Sequence, residues 1–211
     1  MASKETDRLS AKQLFERYRV VFSRIFLLIL GLGLLFVGSK WERTPLIGTI
    51  LFMAACVLAG IASLGRLWCA LYISGYKDNT LVMVGPYSLC RNPLYFFSLL
   101  GAIGVALATK TITIPLIALV LFLIYYPLVI KSEELRLSAI HKERFESYRQ
   151  AIPAFFPRRA KFQEPDEYTV RPMIFRKNLF DAIWFVWLIG ILELISTLHE
   201  TKIVPVLFSI Y

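Results

Sequence analysis

Charge is missing where the chain is most apolar: residues 44–65, 92–109 and 111–130 contain no Lys, Arg, Asp or Glu. Over all 211 residues only 18% are charged, while 57% are apolar. A soluble domain of that size has too little interior to hide so much apolar surface. Cysteine is scarce as well. Cys56, Cys69 and Cys90 are odd in number and lack metal-type spacing, which argues against a disulfide framework. There is no glycine-rich dinucleotide fingerprint after a strand: Gly31-Leu32-Gly33 runs on into Leu34-Leu35-Phe36 and is a packing feature. No stretch alternates with period two as a membrane barrel would. Internal repeats and low-complexity tracts are lacking too.

What is present is a series of apolar blocks, most near the roughly 20 residues a helix needs to cross about 30 Å of hydrocarbon. A spanning segment must satisfy its own backbone hydrogen bonds, so the blocks are expected to be helices. The expected fold is all-α, a multi-pass transmembrane bundle with about five spans, near 21–39, 45–65, 93–109, 112–130 and 179–198, forming one membrane domain over 1–211. The first block follows roughly twenty polar residues, lacks a small-x-small cleavage pattern, and reads as a retained span. Small residues spaced by four, Ala55/Ala59/Ser63 and Gly104/Ala108, suit close helix packing. Asp181 and Glu193 interrupt the last span, and Glu193 is expected to need a partner or an aqueous edge. Residues 203–211 are too short to cross and read as an interfacial tail.

With the N-terminus in the cytosol, twenty Lys and Arg residues fall inside and four outside. The positive-inside rule favours that orientation. The net charge of +9 is therefore read as topology and attraction to anionic headgroups, not as nucleic-acid binding. The outer loops are tiny, and the inner segments 66–92 and 131–177 have room for polar chemistry.

Two inner segments stand out. In Gly85-Pro86-Tyr87-Ser88-Leu89-Cys90-Arg91-Asn92-Pro93-Leu94-Tyr95, proline suits the first helical position and makes Asn92 an expected N-cap. Arg91 then stands beside a helix N-terminus, an arrangement suited to an anion. In the helix expected over 131–150, Glu134, Leu137, Ser138, His141, Phe145 and Tyr148 share one face. The short Lys110-Thr111 link pairs the third and fourth spans, which brings Glu133 and Glu134 toward Arg91. An anion site, a carboxylate pair and the tyrosines Tyr87, Tyr95, Tyr125, Tyr126 and Tyr148 together suit a zwitterion carrying a soft cation. S-adenosylmethionine is such a molecule, and a zwitterionic phospholipid headgroup meets the same description.

From Gly65-Arg66-Leu67-Trp68 through Gly75-Tyr76-Lys77, Gly85-Pro86-Tyr87, Arg91-Asn92-Pro93-Leu94-Tyr95 and Glu133-Glu134 to Phe145-x-x-Tyr148 and Pro153-x-Phe155-Phe156-Pro157, the chain resembles a known superfamily. It is that of the integral-membrane isoprenylcysteine carboxyl and phospholipid N-methyltransferases. The resemblance implies an S-adenosylmethionine-dependent methyltransferase acting on a membrane-resident acceptor, a lipid amine or an isoprenyl-type carboxylate. Its cofactor pocket would lie at the cytosolic edge, lined by Tyr87, Arg91, Asn92, Pro93, Leu94, Tyr95, Glu134 and Tyr148. Arg91, Glu133, Glu134 and His141 are the catalytic candidates. Asn92 stands where the family pattern has histidine, and His141 is considered as a substitute base. Arg91→Ala and Glu134→Gln are expected to abolish methylation and leave the protein folded. Two alternatives are an NADPH-dependent membrane reductase of the sterol-reductase type, which has a similar Arg-His-Pro-x-Tyr motif, and a non-enzymatic scaffold.

Overall fold

The computed structural model describes residues 31, 33, 35–76, 80–158 and 162–211. Five helices carry the described chain: α1 Pro45–Ile73, the single turn α2 Pro86–Leu89, α3 Pro93–Leu107, α4 Thr113–Ala151 and α5 Pro172–Glu200. The architecture is all-α and membrane-spanning in character. α1, α4 and α5 are long and apolar enough to cross a bilayer, whereas α3, at 15 residues, is shorter than the span expected there. The apolar side chains of α4 face outward, Leu116, Val120, Leu123 and Ile124 among them, as suits a lipid-facing helix. The expected first span, 21–39, lies mostly outside the described residues.

Close packing centres on α1 and α3. A side chain added at Gly104 would stand 3.1 Å from the Ala55 carbonyl oxygen and the Ala59 amide nitrogen. Ala55, Ala59 and Ala108 are buried in the same cluster, with Ile189 of α5. The small-residue spacing read from the sequence thus lies in this contact, where small side chains let two backbones approach. Gly104→Val is expected to destabilise the protein by about 1–3 kcal/mol, because backbone atoms cannot yield as a flexible side chain would. Thermal unfolding in detergent reads this directly. An unchanged midpoint would refute the close approach.

α1 runs on to Ile73, past the expected end at 65, because Leu67 to Ile73 remains apolar beyond the single charge at Arg66. The tail also differs from expectation. Residues 37–39, placed at the end of the first span, form β1 (Val37–Ser39), which pairs in parallel with β2 (Phe208–Ile210). Thr113 at the start of α4 donates through its amide and its hydroxyl to the Tyr211 carbonyl, at 2.8 and 2.6 Å. The tail is therefore anchored by backbone pairing. Nearby, the Lys110 ammonium lies 3.2 Å from Glu193 Oε2 and donates to Ser196 Oγ at 2.9 Å. That pairing accounts for a carboxylate within the apolar length of α5.

Candidate functional site

The end of the bundle away from the β ribbon holds a cavity of about 340 Å³. That volume falls at the lower end of small-molecule sites. Four segments wall it: the end of α1 with Ile73–Tyr76, the 80–95 stretch, the second half of α4, and the start of α5 with Ile174 and Asn178. Among the described residues the walls hold one carboxylate, Glu133, and two guanidinium groups, Arg91 and Arg136.

The 85–95 stretch owes its shape to a tight turn. Gly85 has φ +60°, and a side chain there would overlap the Tyr72 ring, with ring atoms 2.5 Å from the added carbon. Glycine answers both demands. Pro86 then starts α2, and Pro93 starts α3 with Asn92 at its N-cap position. Asn92 does not cap with its side chain, contrary to expectation. Its Nδ2 donates instead to the Ala154 carbonyl at 2.9 Å and to Glu134 Oε1 at 3.4 Å. The first-turn amides of α3, at Leu94 and Tyr95, lack intrahelical acceptors by the geometry of any helix start, and both residues line the cavity.

Arg91 and the glutamate pair do meet, but each glutamate takes a different role. Glu134 Oε1 accepts from Arg91 Nε at 2.9 Å and is ion-paired with Nη2 at 2.9 Å. Arg91 Nη1 donates to the carbonyls of Arg149 and Ile152, at 2.8 and 2.6 Å. The guanidinium therefore clamps the far end of α4 against the start of α3, with four of its five donors engaged. This revises the reading of Arg91 as an arginine held open for a ligand. Glu134 is outside the cavity wall. Glu133 is in it, accepting from the Tyr95 hydroxyl at 2.8 Å, with Arg136 at 3.6 Å.

Of the other expected residues, Tyr87, Asn92, Leu94, Tyr95 and Tyr148 line the cavity, while Pro93 is buried behind it. The Tyr148 hydroxyl donates to the Tyr87 carbonyl at 2.6 Å, and the buried Tyr87 hydroxyl has no hydrogen-bond partner among the described residues. Burial holds the Tyr87 phenol well above its ordinary value and pushes the Cys90 thiol up to about 12, so both stay protonated at neutral pH. His141 is not brought to the cavity. The helical wheel drawn through 131–150 breaks just after it, because Lys142 has φ 46° and ψ −121°. Phe145 and Tyr148 still pack with Leu81, Ile152 and Leu137 on the far side of that break.

Sequence reasoning missed Arg136, Ile174 and Asn178. Arg136 lies three residues beyond Glu133, so one helical turn could have suggested it. Asn178 carried no local signal. It reaches the site through α5 and donates to Ser74 Oγ at 2.8 Å.

A family model described as phospholipid methyltransferase matches residues 43–144, which include Arg91 and both glutamates. The chain is 36% identical over 187 residues to the cobalt-zinc-cadmium resistance protein CzcN of Cupriavidus metallidurans, covering 89% of this chain and 86% of that protein. It is also 36% identical over 189 residues to the nickel-cobalt-cadmium resistance protein NccN of Alcaligenes xylosoxydans xylosoxydans, covering 90% and 88%. No solved structure matches the chain significantly.

Proposed function

The chain belongs to the phospholipid methyltransferase family, and we propose that it moves a methyl group from S-adenosylmethionine to a membrane-resident acceptor at the Glu133 cavity. One observation carries the reading: a single cavity brings together, among the described residues, the Glu133 carboxylate, the Arg91 and Arg136 guanidinium groups, the first turn of α3 and several tyrosines. This set fits a molecule with a carboxylate and a soft cation, beside an acceptor amine. The Leu94 and Tyr95 amides with the Arg136 guanidinium would hold the donor's carboxylate and a tyrosine face its sulfonium, which leaves Glu133 for the acceptor. When bound, S-adenosylmethionine supplies a methyl group already carried on a good leaving group. The protein's own work is then alignment and exclusion of water.

Arg91 and Glu134 act at one remove. They fix the second half of α4 over the cavity, so that Tyr148 closes one wall and Glu133 points inward. An acceptor amine must arrive without its extra proton, and Glu133, buttressed by Tyr95, is the group placed to take it. Among the described residues the cavity end carries most of the Lys and Arg, so we place it on the cytosolic side.

Titrating the purified chain with S-adenosylmethionine and, separately, with NADPH tests the reading. A ligand at 100 times its Kd stabilises the folded state by about 2.7 kcal/mol, so the unfolding midpoint should rise with S-adenosylmethionine and stay put with NADPH. A rise with NADPH alone would replace the methyltransferase with the reductase alternative. Lipid extracts from cells with and without the chain should differ by species one CH2 heavier.

A further inference from the structure

Arg66 is the deep cation that the cavity leaves unused. It lies in α1, seven residues before the cavity-lining Ile73 and so about 10 Å further into the membrane. It is also the first charge after the charge-free run 44–65, at the boundary of the hydrocarbon. The side chain is half-buried between three helices. Nη1 donates to Ser98 Oγ on α3, the guanidinium lies 5.7 Å from the centre of the Phe185 ring on α5, and the buried Nε has no acceptor among the described residues.

Two other cations held among the helices each have a carboxylate. Arg91 has Glu134 and Lys110 has Glu193. Among the described residues no carboxylate pairs with Arg66. An arginine kept at this depth against the cost of desolvation marks a partner, and the described residues supply none with negative charge. The Ser98 hydroxyl cannot substitute, since it is neutral and spends its own proton on the Leu94 carbonyl at 2.7 Å. Ser98 is also only three residues along α3 from Tyr95, whose hydroxyl reaches Glu133. The unpaired guanidinium is therefore one to two helical turns below the carboxylate of the cavity.

We propose that Arg66 is an anchoring site for the acidic group of the methyl acceptor, a lipid-soluble molecule bearing a phosphate or carboxylate. This rests on the methyl-transfer reading above. The acid sits between α1, α3 and α5, and the acceptor's nucleophile extends toward Glu133. Along the helices that separation is roughly 5–10 Å, which sets the span between acid and nucleophile in the acceptor. Arg66 is a binding residue in this scheme and takes no part in proton transfer.

Native mass spectrometry of the full chain in detergent tests the site with three probes: phosphatidylglycerol, oleate and uncharged diacylglycerol. The wild-type chain should hold an acidic probe about tenfold more tightly than diacylglycerol, the factor for one charge-assisted contact. Retention of phosphatidylglycerol assigns a phosphate, and retention of oleate a carboxylate. Arg66→Gln should lose the preference, and Arg66→Lys should keep part of it. Equal retention of all three probes by the wild-type chain overturns the proposal without any variant having to fold. An unchanged preference in Arg66→Gln overturns it as well. Calorimetric titration of the same samples with S-adenosylmethionine keeps the two readings apart. Donor binding without acid preference removes Arg66 alone, and acid preference without donor binding removes the methyl-transfer reading.

Discussion

Glu133→Gln is expected to lower methylation by about two to four orders of magnitude, the range for losing a positioned acid or base. The substitution keeps the shape of the side chain and an oxygen that can still accept from Tyr95, so the cavity wall stays in place. Its ion pair with Arg136 is 3.6 Å long and partly solvated, so losing that pair costs little stability. The effect should therefore fall on turnover, with the unfolding midpoint and the affinity for acceptor nearly unchanged. Following a labelled methyl group into lipid extracts gives the rate, and thermal unfolding gives the control. Turnover within a few-fold of wild type would show that the acceptor needs no proton removed there.

The second large effect is one of stability. Arg91→Ala should cost about 3–5 kcal/mol, because it strands the Glu134 carboxylate, whose side chain is only 19% exposed. For a chain of this length that lowers the unfolding midpoint by roughly 10 °C. The carbonyls of Arg149 and Ile152 lose their donor in the same step. Adding Glu134→Gln to Arg91→Ala removes the stranded charge and should recover part of the loss, a coupling of about 1–3 kcal/mol in a double-mutant cycle. The sequence alone suggested the opposite division, with both residues gripping a ligand and neither holding the fold. A full-stability Arg91→Ala protein that no longer binds S-adenosylmethionine would restore that first view.

These two predictions mark the limit of what the residue order disclosed. Helices were legible wherever charge was absent over a membrane's width, and Asn92-Pro93 announced the start of α3. The meeting of Arg91 with the glutamates followed from the short link at 110–111. Which glutamate faces which way did not follow. Adjacent residues on a helix point about 100° apart, so the roles of Glu133 and Glu134 depend on the rotation of α4, which is set by tertiary packing. The break at Lys142 was equally hidden. A lysine with positive φ carries none of the glycine or asparagine signature that announces such geometry. Pairing of β1 with β2 joins residues some 170 positions apart, and three-residue strands leave no periodic trace.

Lys110 and Glu193 bear on how the polypeptide enters the bilayer. A helix carrying an ionised carboxylate is inserted at a penalty of up to about 3 kcal/mol when alone, and a solitary ammonium fares no better. The lysine, in the turn between α3 and α4, leaves the ribosome 83 residues ahead of the glutamate. Because each charge offsets the penalty the other would carry alone, inserting α5 and docking it against the turn that bears Lys110 are expected to be coupled steps.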